Sequence, residues 1–104
     1  MKKIMLVCSA GMSTSLLVTK MEQAAEKVGD EVEIFALPMS DGINRLSTVD
    51  CVLLGPQVRF NLGKIKEEAT KVNPGLPVDV IDMKDYGMMN GEKVYNYAKK
   101  LMDE

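Results

Sequence analysis

The chain has 104 residues, of which 46% are apolar and 27% charged, and this composition is typical of one globular domain built around a single core. Its formal net charge is −2, with no basic run and no apolar stretch near the roughly 20 residues that cross a bilayer, so we expect neither nucleic-acid binding nor membrane insertion. Histidine is absent and the two cysteines, Cys8 and Cys51, lie far apart in the sequence, so we expect no metal site and no cofactor.

The first part of the chain predicts two strands around a helix. Residues 3–8 form a short apolar run that ends in a loop of small residues, which favours a strand over a signal peptide, and we therefore expect a cytoplasmic protein. A helix is predicted over 16–28, and its inward face should carry Leu17, Met21, Ala24, Ala25 and Val28. Gly29 and Asp30 can end this helix, and 31–37 predicts the second strand.

The middle of the chain predicts a third strand and a long amphipathic helix. Residues 38–48 predict a loop with a short helix near 43–46, and 49–54 predicts the strand. A helix then opens at 55–57, and its apolar series is the most regular in the chain: Val58, Leu62, Ile65, Ala69 and Val72.

The last part of the chain predicts a fourth strand and a final helix. The Asn-Pro-Gly sequence at 73–75 should end the preceding helix, and 77–82 predicts the strand. After a loop, a helix is predicted over 92–102, and its inward side chains should be those of Val94, Tyr97, Ala98 and Leu101.

This alternation of strands and helices predicts a single α/β domain over 1–104 with a parallel sheet. Strands one and three are continuous apolar runs and should be central, whereas strands two and four carry acidic residues and should be edges. With right-handed crossovers the order is 2-1-3-4, a three-layer, doubly wound, flavodoxin-like arrangement with helices on both faces. Its ligand crevice should lie beyond the carboxyl ends of strands one and three, beside Cys8 and Gly55.

The segment 8–15 joins the first strand to the first helix and carries the predicted chemistry. Gly11 permits positive φ, so backbone N–H groups can turn inward as an anion nest beside the positive end of the helix. These groups should favour the thiolate of Cys8, a strong nucleophile that needs no separate base, and they could hold a phosphoryl group on its sulfur. We predict phosphocysteine at Cys8 and a phosphate-binding loop formed by Ser9, Ala10, Gly11, Met12, Ser13, Thr14 and Ser15.

Alternatives to this interpretation remain open. Cys8 could be an inert apolar residue before an ordinary turn, which is the role that we expect for Cys51 in the third strand. A small cysteine-dependent phosphatase is a second alternative, but such enzymes have an arginine six positions after the cysteine, where this chain has Thr14. A thiol-based arsenate reductase is disfavoured by the distant second cysteine, and an anion-sensing regulatory module is a further possibility.

Two motifs resemble a known family. The sequence CSAGMSTSLLV at 8–18, together with VLLGPQ at 52–57, is similar to enzyme IIB of the bacterial phosphotransferase system, in the lactose/cellobiose branch and especially its cellobiose and chitobiose type. The resemblance implies that Cys8 accepts phosphate from a phosphohistidine of enzyme IIA. It further implies that phosphocysteine phosphorylates a sugar imported by the membrane component IIC, and that the fold is a four-stranded parallel sheet. The sugar is not identified by these residues.

Several further residues are candidates for secondary roles. Gln57 should lie beside the loop, where it could donate a hydrogen bond to phosphate or simply face water. Asp82, Asp85 and Tyr86 follow strand four at the same sheet edge; a carboxyl group there could assist as an acid, although capping or turn formation is favoured. Met12 has a flexible side chain that we expect to contact partner proteins.

Overall fold

The computed structural model describes residues 1–9 and 12–102, and for 12 and 13 it describes the backbone only. These residues contain one four-stranded parallel sheet in the order β2-β1-β3-β4, as predicted. Its strands are β1 (Lys2–Cys8), β2 (Val32–Pro38), β3 (Cys51–Leu54) and β4 (Val78–Val80). The third and fourth strands are shorter than predicted.

Helices cover both faces of the sheet. The α-helices are α1 (Met12–Lys27), α2 (Met39–Gly42), α3 (Leu62–Val72), α4 (Met83–Gly87) and α5 (Gly91–Leu101). Two 3₁₀ segments, Ile43–Thr48 and Pro56–Asn61, continue α2 and lead into α3. The segment after β4 was predicted to be a loop, but it contains the short helix α4. The start of the helix predicted after β3 is 3₁₀ rather than α.

Two apolar clusters, one on each face, hold the sheet between its helices. Ile4 and Leu6 of β1 point into the cluster beneath α1 and α5, whereas Met5 and Val7 point into the cluster beneath α3. All four side chains are fully buried, because β1 is central and covered on both faces. The continuous apolar run in the sequence reflects this position.

Three side chains predicted to face inward are exposed instead. Val28 is 61% and Val72 54% exposed, because α1 ends before Val28 and Val72 is the last residue of α3. Tyr97 is 36% exposed, and Tyr95 is buried in its place. Helix α5 packs against α1 as well as the sheet, so its buried face extends towards Tyr95 rather than Tyr97.

The close approach of α1 and α5 depends on Gly91, the first residue of α5. A Cβ atom at this position would lie 2.4 Å from both the carbonyl carbon and the Cβ of Lys20 in α1. Asn90 fixes the start of α5 at this point, since its side-chain oxygen accepts a hydrogen bond from Lys93 N at 3.1 Å. The absence of a side chain at position 91 therefore sets the distance between the two helices.

A polar cluster ties the loop after α1 to α5. Asp30 Oδ2 accepts hydrogen bonds from Tyr95 Oη at 2.7 Å and Lys99 Nζ at 2.8 Å, and Lys99 Nζ lies 5.6 Å from the centre of the Tyr95 ring. The hydrogen bond from Lys99, followed by that from Tyr95, lowers the pKa of Asp30 below its usual value near 3.8. The ionised carboxylate therefore stabilises the contact between these elements.

Asp30→Asn is expected to lower stability at neutral pH by an amount that disappears in acid. Because the folded-state pKa is depressed, the stabilisation is complete above the unfolded pKa near 3.8 and is lost as pH falls through the folded value. Urea denaturation at several pH values measures this difference between variant and wild type. Glu31→Gln, at an exposed neighbouring acid, is the control and should not change the pH profile; a pH-independent loss in Asp30→Asn would contradict the prediction.

The outer edge of the sheet is closed by Asp79 of β4. The amide of Ile81 donates inward to Leu54 O of β3 at 2.8 Å, so the amide of Val80 points outward. Asp79 Oδ1 accepts from this outward amide at 2.7 Å, and the Tyr97 hydroxyl donates to Asp79 Oδ2. The hydrogen bond to Asp79, together with partial burial, raises the pKa of Tyr97 to about 12.

Candidate functional site

Cys8 is the last residue of β1, at the carboxyl edge of the sheet. Its side chain is 3% exposed, and Sγ donates a hydrogen bond to Leu37 O of β2 at 3.8 Å. This contact places the sulfur between β1 and β2, where both strands end.

The segment after Cys8 is only partly described. Ala10 and Gly11 of the predicted phosphate-binding loop lie outside the described residues, as do the side chains of Met12 and Ser13. The backbone enters α1 at Met12, four positions after Cys8. The N-terminus of this 16-residue helix, which carries a partial positive charge, therefore lies four positions after the end of β1 in the sequence.

The hydroxyl residues of this loop differ in their access to solvent. Ser9 and Ser15 are exposed, whereas Thr14 is completely buried. Thr14 occupies the position at which cysteine-dependent phosphatases have their arginine. A buried threonine cannot extend a cation over a bound phosphate, so the side chain at this position does not supply the charge on which those enzymes depend.

Gly55, Gln57 and Tyr86 meet beside the end of β1. Gly55 N donates to Val7 O at 2.8 Å, and this hydrogen bond holds the residue after β3 against the end of β1. A Cβ atom on Gly55 would lie 2.8 Å from Gln57 Oε1 and 3.7 Å from a ring carbon of Tyr86. The exposed Gln57 side chain is thus folded back over Gly55, and the buried Tyr86 ring packs behind it.

The two acidic candidates after β4, Asp82 and Asp85, lie at the start of α4 and beside α5. Asp82 Oδ1 accepts from Lys84 N at 2.9 Å and Asp85 N at 3.2 Å, so Asp82 caps α4, and the favoured capping role is confirmed. Asp85 lines a cavity of about 490 Å³ between β4 and α5, together with Asp82, Lys93 and Tyr97. Neither carboxylate is placed against Cys8 by any contact described.

Cys51 has the surroundings of a structural residue. It is fully buried in β3 opposite Ile4, and burial, followed by the charges of Asp79 and Asp50, raises the pKa of its thiol to about 12. The thiol therefore stays protonated and unreactive at neutral pH.

The described residues form neither a metal site nor a membrane span. Over residues 1–9 and 12–102, no three His, Cys, Asp or Glu side chains are grouped so that they could hold a metal ion. No helix within the same ranges is long and apolar enough to cross a membrane.

The fold and the position of Cys8 define a doubly wound α/β protein with a thiol and a helix N-terminus at the switch point of its sheet. Residues 3–97 match the family model for the lactose/cellobiose-specific IIB subunit of the phosphotransferase system. The chain belongs to this family.

Curated relatives agree with this family over nearly their whole length. The chain is 47% identical to the oligo-beta-mannoside-specific EIIB component of Bacillus subtilis (strain 168), over 98% of this chain and 97% of the relative. It is 49% identical to two components from Lactococcus lactis with the same coverage, one galactose-specific (subsp. cremoris, strain MG1363) and one cellobiose-specific (subsp. lactis, strain IL1403).

Solved structures share the fold. The lactose-specific IIB domain from Streptococcus pneumoniae superposes with a TM-score of 0.84 over 95% of each chain at 16% identity, a likeness of fold alone. The cellobiose-specific IIB component from Borrelia burgdorferi has a TM-score of 0.77 at 42% identity and covers 98% of this chain and 92% of its own.

Family membership establishes the activity class. The chain is a phosphotransferase of a sugar phosphotransferase system, a phosphoryl relay that works with EIIA and EIIC partners. The alternatives of a free-standing phosphatase or an anion-sensing regulator are not favoured.

Proposed function

We propose that Cys8 is the residue that carries the phosphoryl group between enzyme IIA and the sugar. One observation carries this assignment: Cys8 is the last residue of a central strand, four positions before the N-terminus of α1. The other cysteine, Cys51, is fully buried in β3 and has a raised thiol pKa, so it is not available for transfer.

The transfer involves two displacements at phosphorus. The sulfur of Cys8 attacks the phosphohistidine of IIA, so that an S–P bond forms as the N–P bond breaks, and the thiol proton goes to the departing imidazole. In the second displacement a sugar hydroxyl attacks the same phosphorus, the S–P bond breaks, and the thiolate leaves. The sugar hydroxyl releases one proton and the departing thiolate takes one up, so that the thiol is restored at the end of the cycle.

The loop 9–15 is proposed to hold the phosphoryl oxygens. The first amides of a helix point out of its N-terminus, and α1 begins four positions after Cys8. Hydrogen bonds from such donors to a charged group contribute about 1.5–3 kcal/mol each. Ser9 and Ser15 have exposed side chains that can add hydroxyl donors, while buried Thr14 would contribute through its backbone amide. This set can stabilise a dianion without arginine.

The sugar, the cellular compartment and the partner proteins of this chain are assigned from the same family. The relatives are specific for oligo-beta-mannoside, galactose and cellobiose at nearly equal identity, so we assign this chain a sugar of the cellobiose, lactose or chitobiose type without naming one. We further assign it to the cytoplasm, as a single domain over 1–104, with IIA as donor and IIC presenting the sugar.

Mass spectrometry of the phosphorylated chain tests the assignment. Incubation with phosphoenolpyruvate, the general phosphotransferase proteins and a matching IIA should add one phosphoryl group, located on the peptide that contains Cys8. Addition of membranes with IIC and its sugar should remove it. A phosphate found on another residue, or none with an IIA that phosphorylates a second IIB, would refute the role of Cys8.

Gly55→Ala is expected to slow transfer from IIA about tenfold, because the new Cβ displaces the end of the Gln57 side chain. The free energy of unfolding should change by less than about 1 kcal/mol, since that side-chain end is flexible. If the amide of Gln57 assists the phosphoryl group, Gln57→Ala should have a similar effect. Stopped-flow transfer rates for the two single variants and the double variant check this. Full additivity in the double variant would show that Gly55→Ala does not act through Gln57.

A further inference from the structure

Exposed apolar side chains lie on the segments that leave the carboxyl ends of the strands, the edge of the sheet at which Cys8 is placed. In the described part of the chain these are Leu16, Phe60, Met83 and Met88. Phe60 is the most exposed of this group, at 80%. An aromatic ring that stays in water adds no hydrophobic stabilisation to the fold, and phenylalanine is a residue type enriched in protein interfaces.

Arg59 and Phe60 form a preorganised pair. The Arg59 guanidinium carbon lies 4.5 Å from the centre of the Phe60 ring, and Arg59 Nη1 donates to Pro56 O at 2.9 Å. Pro56 is buried and follows Gly55, whose amide is bonded to Val7 O of β1. The cation is therefore held on an exposed ring by a segment anchored to the strand that ends in Cys8.

The pair lies close enough to Cys8 for one partner to contact both. Phe60 follows Gly55 by five positions, which at the rise of a 3₁₀ helix is roughly 10 Å along the segment. Strands β1 and β3 are direct neighbours, about 4.8 Å apart. A protein that reaches the sulfur of Cys8 must cover this rim of the molecule.

Resting on the assignment of Cys8, we infer that Arg59 and Phe60 dock the phosphorylated form of enzyme IIA. Charge complementarity selects this occupant, because phospho-IIA brings a dianionic group to the contact, whereas the sugar presented by IIC is neutral before transfer. Once the phosphoryl group has moved to Cys8, the departing IIA has lost that charge. The attraction to Arg59 then falls, and this favours release.

Calorimetric binding of phospho-IIA to the Cys8→Ser chain tests docking without transfer. The probe is the IIA that phosphorylates the wild-type chain. In this background Phe60→Ala should weaken binding about tenfold, as expected for an exposed aromatic anchor. Arg59→Gln should weaken it by a similar factor and reduce its salt dependence. Val72→Ala, at an exposed apolar residue on the last turn of α3, is the matched control and should bind like the parent.

Transfer kinetics separate this inference from the assignment of Cys8. With Cys8 intact, Phe60→Ala should raise the KM for phospho-IIA about tenfold with an unchanged rate at saturation. Unchanged binding and KM in both variants would overturn the docking inference, as would a loss confined to the step with IIC and sugar. Phosphorylation at a residue other than Cys8 would overturn the proposed function, while the binding measurement would still report on Arg59 and Phe60.

Discussion

Cys8→Ser is expected to abolish phosphorylation of the chain by IIA and, with it, phosphorylation of the sugar. A serine hydroxyl does not ionise near neutral pH, so the nucleophile for the first displacement is lost. The fold should persist, because the serine hydroxyl can donate to Leu37 O as the thiol does. We expect the free energy of unfolding to change by no more than about 1 kcal/mol. Mass spectrometry and urea denaturation measure the two effects.

Cys51→Ser is the matched control, since it makes the same chemical change elsewhere in the sheet. Cys51 is fully buried, so its replacement places a hydroxyl in an apolar cluster at a cost of about 1–3 kcal/mol. The folded fraction should still be phosphorylated at the wild-type rate. Residual phosphorylation of Cys8→Ser, or loss of phosphorylation in folded Cys51→Ser, would show that the two cysteines have been assigned the wrong roles.

Gly91→Ala is expected to destabilise the fold by about 3 kcal/mol, because the added methyl group would overlap the backbone and Cβ of Lys20. These atoms belong to α1 and cannot rotate away, so the two helices have to separate. Helix α5 covers the apolar cluster that contains Ile4 and Leu6 of β1. Separation of the helices therefore loosens packing throughout that face, and urea denaturation measures the loss.

Gly63→Ala provides the control for Gly91→Ala. Gly63 lies in the first turn of α3, and among the described residues no atom beyond its chain neighbours and its own helix backbone lies within 4 Å of the position that its Cβ would take. Alanine is a better helix former than glycine, so this variant should be unchanged or stabilised by up to about 1 kcal/mol. Equal effects of the two substitutions would mean that the contact with Lys20 does not limit the approach of the helices.

The sheet could be predicted from the sequence because burial determines strand composition. The uninterrupted apolar run at 4–7 is found only where a strand is covered on both faces, and the acidic residues of β2 and β4 exclude them from the centre. The order of the strands and the position of Cys8 at their carboxyl edge followed from these compositions and the handedness of crossovers.

Features that depend on contacts between elements could not be predicted. Periodicity favoured Tyr97 over Tyr95 as the inward residue of α5, because the sequence does not reveal that α5 also packs against α1. Similarly, Gly91 after Asn90 resembles an ordinary helix start, and only the distance to Lys20 gives it a packing role. Helix α4 was missed because five residues are too few for a periodic signal.

The position of the candidate cysteine could be predicted from the sequence, whereas the residues around it could not. Cys8 was chosen as the candidate nucleophile from the small-residue loop between a strand and a helix, which is a local pattern, and its role stays a prediction. The burial of Thr14 and the folding of Gln57 over Gly55 are tertiary features that no spacing of residues signals. Whether Ala10 and Gly11 bind phosphate stays a prediction, since both lie outside the described residues.

The arrangement of Asp79 has a consequence for a protein that must repeatedly bind and release others. An extended segment from another molecule could lengthen the sheet at β4 only by displacing a carboxylate that already accepts from Val80 N and from the Tyr97 hydroxyl. Growth of the sheet from one copy into the next is thereby discouraged at this position, and brief encounters are less prone to become permanent aggregates.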